Sequence, residues 1–122
     1  MREAARYAAA IDILDAWLAG QPIEQALTRW ARGARYAGSK DRAAVRDHVY
    51  DVLRQKGSCV AAGGADSGRG MILGLLRLRA VPIDAVFSGE GHAPNVLSDV
   101  EAAYDAPPPD PTRDVPDWIL PL

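Results

Sequence analysis

The chain reads as all-α: a bundle of five to seven helices followed by an extended, Pro-rich C-terminal linker. Three observations predict this. Apolar residues recur at three- and four-residue spacing in successive windows. Glycine, proline and serine fall where helix ends need them. No segment alternates apolar and polar residues with the period of a strand. At 122 residues, with 48% apolar and 25% charged content, the chain is sized and composed for one core-bearing domain. The helical domain is expected over 1–105 and the linker over 106–122.

Residues 3–19 are Ala-rich and place Tyr7, Ile11, Leu14 and Leu18 at helical spacing, with Gly20 positioned to stop the helix. Pro22 suits the start of a second helix running to about Arg32, with Ile23, Leu27, Trp30 and Ala31 as its apolar stripe. Gly33 to Gly38 read as a turn. Ser39 is a candidate N-cap for a third helix, Lys40 to about Gln55, with Asp41 facing the positive end of its dipole. Val45, Val49, Val52 and Leu53 form that helix's core face, and Gly57 reads as its stop.

Residues 58–62 fit a short helical turn. Ser67 fits as the cap of a helix carrying Met71, Ile72, Leu75, Leu76 and Leu78. Gly68, Gly70 and Gly74 either weaken that helix, at about 1 kcal/mol each, or allow close helix packing. Pro82 opens a short helix through Phe87, and Ser98-Asp99-Val100-Glu101 is a capping box for a last one ending near Tyr104. Six of the nine prolines lie between Pro107 and Pro121, among Asp110, Asp114 and Asp117, the composition of an extended linker.

Several function classes find no support. A lone cysteine, Cys59, forms no internal disulfide or thiolate metal cluster and reads as a small buried apolar residue in a reducing compartment. Asp12 and Asp15 interrupt the first apolar run and read as its solvated side, so no signal-peptide core follows. No apolar run approaches the ~20 residues of a membrane span, and the expected location is the cytoplasm without a membrane partner. The glycine-rich Gly63–Gly70 segment lacks a preceding strand and a phosphate-binding lysine. His48, on the flank of the third helix, reads as a partly buried structural histidine, and His92 as a loop residue. No catalytic, metal-binding or cofactor-binding constellation emerges.

Net charge is −2, but unevenly spread. Residues 1–79 hold thirteen of the fourteen Lys/Arg against eight acids, for +5, and residues 80–122 carry −7. Between Arg29 and Lys56, eight bases face three acids. Arg29, Arg32 and Arg35 step along the second helix into the turn, Lys40 and Arg42 open the third, and Arg46, Tyr50 and Arg54 follow along one flank. Arginine suits bidentate phosphate contact, and Tyr36 and Tyr50 are candidate platforms for unpaired bases. A flexible turn before a helix N-terminus also suits phosphate. These residues predict an RNA-binding face, set against a solvated arginine-rich face with internal pairs.

Ser39-Lys40-Asp41-Arg42 through Leu53-Arg54 resembles a stretch of the N-terminal domain of the Sun/Nop family of bacterial ribosomal RNA cytosine-5 methyltransferases. The Ala-rich first helix, Ala26-Leu27 and Trp30 fit, as does Pro116-Asp117-Trp118-Ile119-Leu120, similar to the family's entry into its catalytic portion. The resemblance covers most of residues 1–60 and the last few. It implies a NusB-like helical RNA-binding domain, with ribosomal RNA of the small subunit and a downstream methyltransferase domain as partners. The S-adenosylmethionine site and paired catalytic cysteines would lie in that downstream domain, so the resemblance carries no catalytic residue or cofactor into this chain. The alternative it implies is an antitermination-type module that binds a ribosomal or transcription protein.

Overall fold

A computed structural model describes residues 1–116, all-helical with no strand among them. The helices are α1 (Glu3–Leu18), α2 (Ile23–Gly33), α3 (Ser39–Arg54), α4 (Lys56–Gly63), α5 (Gly68–Arg79), α6 (Ile83–Val86) and α7 (Asp99–Ala103), followed by a 3-10 turn, Pro111–Asp114. The stretch from Asp117 through Leu120, and with it the Trp118 part of the family-like motif, lies outside the described residues.

Helix α5 is the centre of the bundle. Met71, Ile72, Leu73, Leu75 and Leu76 are all fully buried. A helix apolar around its whole circumference must be covered on every side, and α5 packs against α1, α3, α4 and α6. Helix α1 adds Tyr7, Ala10, Ile13 and Leu14 to this core, and α3 adds Val45, Val49 and Val52. The α1 stripe is rotated from its expected register: Ile11 is only half-buried and Leu18 is exposed, while Ala9, Ala10 and Ile13 face inward. Small alanines let neighbouring helices approach α1 closely, and α1 meets α2, α3, α5 and α6.

The glycines decide how α4 and α5 meet. A Cβ on Gly74 would lie 2.7 Å from the carbonyl carbon of Cys59 and 2.9 Å from the nitrogen of Gly63. A Cβ on Gly63 would lie 2.7 Å from the carbonyl carbon of Gly70. Of the two readings open for the glycines, close backbone packing holds at Gly74. Ser67 caps α5, its hydroxyl accepting the Gly70 N–H at 3.0 Å. The Ser98 capping box closes in both directions, with bonds of 3.1 and 2.9 Å between Ser98 and Glu101.

Three local expectations change. The N-cap position of α3 is Gly38, and Ser39 is the first helical residue. Gly57 does not stop α3; the break is at Gln55, and Gly57 lies inside α4, where the backbone of Arg113 crosses too closely to admit a side chain. Asp15 is not merely solvated: its carboxylate accepts the Gly68 N–H at 2.7 Å, serving the start of α5 from another helix. The stretch before Pro111 is extended, but the 3-10 turn after it is seated on α4. There Asp114 accepts the Ser58 N–H at 2.8 Å and the Ser58 hydroxyl at 2.6 Å.

Candidate nucleic-acid interface

The basic stretch is built on α2, the turn after it, and α3. Ala34 and Ala37 are buried and their backbones are bonded at 3.0 Å, so the turn is anchored from within. Asp41 fixes its far side. Its carboxylate accepts the Gly38 N–H at 2.9 Å and the Arg6 Nε–H at 3.0 Å. The Gly38 bond, aided by Arg6, holds Asp41 below the usual carboxylate range. A carboxylate therefore already serves the N-terminus of α3, where the sequence offered a place for an anion.

Glu24 joins α2 to α3. It accepts from Arg46 Nη1 at 3.0 Å and from the Tyr50 hydroxyl, and both bonds lower its pKa. The Arg46 guanidinium also lies over the Tyr50 ring, 5.1 Å from its centroid. Tyr50 is half-buried and engaged at both its hydroxyl and one face, so it offers no open stacking platform. Arg54 is paired with Asp51. Tyr36 differs: it is 62% exposed.

The remaining predicted cations are open. Arg29, Arg32, Arg35, Lys40 and Arg42 are all exposed, and none forms an ion pair among the described residues. Arg42 and Arg46 line a groove of about 240 Å³ with Leu27, Thr28, Trp30 and Ala31. Arg29 and Arg32 rim a neighbouring depression of about 470 Å³ with Glu24 and Thr28.

Other bases of the helical region act inside the molecule. Arg69 binds both oxygens of Glu101, at 2.8 and 2.9 Å, and holds that carboxyl down at about 2. Arg77 donates to the carbonyls of Ala62 and Glu101 at 2.8 and 2.9 Å. Arg79 reaches the Tyr7 hydroxyl, His48 and Asp51. Lys56 lies near Asp66 and over Trp17. No pattern in the sequence separates these tethers from the surface arginines, because each partner is distant along the chain.

His48 has the structural role expected of it. It is buried and stacked on Tyr7 with ring centroids 4.1 Å apart. Its Nε2–H faces Glu3 at 3.2 Å, and its Nδ1 accepts from Arg79 at 3.0 Å. Burial, then Arg79, lowers its pKa, so the neutral ring is favoured. Cys59 is fully buried and its thiol is pushed up to about 12, chiefly by burial. That is the inert end of thiol chemistry. Among the described residues no group of His, Cys, Asp and Glu is arranged to hold a metal ion, and no helix is long and apolar enough to cross a membrane.

No protein-family model matches the chain, and neither the curated proteins nor the solved structures contain a match.

Proposed function

We propose that this chain is an RNA-binding module. The observation that carries the reading is the set of five exposed cations that form no ion pair among the described residues, Arg29, Arg32, Arg35, Lys40 and Arg42, on one continuous segment from α2 into α3. Four are arginines, whose forked guanidinium suits phosphate oxygens. The family resemblance extends the proposal: the RNA is that of the small ribosomal subunit, and the module brings a downstream S-adenosylmethionine-dependent cytosine-5 methyltransferase domain to its target. Cofactor and chemistry would belong to that domain, and no residue here is assigned to either.

The test is binding across salt. Five phosphate contacts to single-stranded RNA give a log–log slope of roughly −3.5, or a loss of about 100-fold between 50 and 200 mM salt. Arg29→Glu with Arg42→Glu should weaken binding and flatten the slope while the circular dichroism of the fold is unchanged. Salt-independent binding, absence of binding at low salt, or an unaffected double variant would each defeat the proposal.

A further inference from the structure

A second feature lies not on the arginine face proper but beside it. A cleft of about 690 Å³ opens between the first turn of α1 and the loop after α6. Tyr36, from the α2–α3 turn, and His92, from that loop, both line it. Their rings are nearly parallel, at 8°, with centroids 5.9 Å apart. Both segments are braced. The turn is pinned by buried Ala34 and Ala37. The loop closes on itself through Gly89 N–H to Pro94 O and Ala93 N–H to Glu90 O, each at 2.9 Å, with Gly89 and Gly91 at positive φ. The two exposed rings, stacked on each other from separately anchored segments, offer an outer ring face as a platform for a flat π-system.

The polar groups around the platform select what that system must be. Asp84 and Glu90 line the cleft and form no ion pair among the described residues. Ionised carboxylates only accept hydrogen bonds. The cleft therefore suits a base whose edge carries adjacent donors. Guanine presents N1–H and the 2-amino group side by side, whereas adenine, cytosine and uracil each set a donor beside an acceptor. Arg2, exposed and also free of ion pairs among the described residues, supplies a cation at the rim for the attached phosphate. Arg35, adjacent in sequence to Tyr36, links the cleft to the arginine segment.

We propose that this cleft takes a single unstacked guanine from the RNA strand, stacked on the outer face of the Tyr36–His92 pair and read on its Watson–Crick edge by Asp84 and Glu90. The inference rests on the RNA-binding reading and adds base selectivity to it. The experiment compares a short labelled oligouridine with the same oligomer carrying one central guanine or one central adenine. Guanine should tighten binding about tenfold, and adenine by less. Tyr36→Ala should remove the guanine gain, and Asp84→Asn with Glu90→Gln should remove it while leaving oligouridine affinity and its salt dependence in place.

Equal affinity for the guanine and adenine oligomers overturns the cleft proposal alone. So does a guanine gain that survives both variants. If no oligomer binds even at low salt, the RNA-binding reading fails. Guanosine monophosphate titrated against the His92 ring resonances then decides the cleft by itself: shifts lost in Tyr36→Ala support it, and unmoved resonances overturn it.

Discussion

Gly74→Ala tests the arrangement on which the fold depends. The added Cβ would sit 2.7 Å from the carbonyl carbon of Cys59 and 2.9 Å from the backbone nitrogen of Gly63. Ordinary contacts lie beyond 3.4 Å, so α4 and α5 must part by roughly 1 Å. The obstructing atoms are backbone, and no side chain can rotate aside. A gap of that size forfeits a quarter to a half of each dispersion contact across the seam. Overpacking of this kind costs about 3 kcal/mol, offset by ~1 kcal/mol from the better helix preference of alanine. The net loss of about 2 kcal/mol should lower the melting temperature by roughly 8 °C. Gly33→Ala is the control. It is helical and meets nothing within 4 Å, so the propensity term acts alone and stability should rise by up to ~1 kcal/mol. Urea denaturation of both variants checks the signs, and thiol labelling of Cys59 adds a local readout, since parting the seam exposes a sulfur that is fully buried. Equal stabilisation by the two substitutions would refute the close packing of α4 on α5.

Two more outcomes follow from the same contacts. Asp114→Ala removes two hydrogen bonds to Ser58, together worth ~2 kcal/mol. Protease cleavage in the exposed stretch 105–110 should accelerate by at least about tenfold, while the helices unfold at nearly the same urea concentration; unchanged cleavage would mean the turn is not anchored there. His48 makes stability depend on pH. Its folded pKa lies below the ordinary 6.5, so the unfolded chain binds the proton more readily. Its contribution is complete above pH 6.5 and declines as the pH falls through the lowered value. Urea midpoints should fall between about pH 7.5 and about pH 5.5, and fall less in His48→Phe, which retains the stack on Tyr7; an equal fall in both proteins would contradict this.

What could be read from the sequence was local. Ser67 and Ser98 were visible as caps because a cap and its partner lie three residues apart. Val45, Val49 and Val52 marked the buried face of α3 because burial there follows helical period. The readings that changed involve partners far along the chain. Asp15 is on the outer side of α1 by its own period, yet it serves Gly68 across a separation of 53 residues. Gly57 has the composition of a stop, but its purpose is set by a segment 56 residues away. The predicted face was legible as a set of cations, but not the division between Arg46, tied to Glu24, and Arg42, which forms no ion pair among the described residues. Tyr36 and Tyr50 were equivalent as candidates; only tertiary contacts leave Tyr36 exposed beside His92 and tie Tyr50 to Glu24.

The opposing charges raise a problem of their own. A −7 C-terminal portion attached to a +5 helical portion should fold back and neutralise the arginines that the proposed function needs. Three of its eight acids are instead occupied nearby. Glu101 is held by Arg69 and by the N-terminus of α7. Asp110 accepts from Thr112, and Asp114 from Ser58 on α4. Helix α4 packs on α5 and α3, whereas α2 packs on α1, so the turn is anchored on a helix with other neighbours than the one that carries Arg29 and Arg32. Fixing Asp114 to α4 holds that carboxylate away from the arginines the proposed function needs. At longer range its field is screened within about 10 Å at ordinary ionic strength. The anchor at Ser58 thus holds the Asp114 carboxylate on α4, one acid of the C-terminal portion that is set apart from the arginines of α2 and α3.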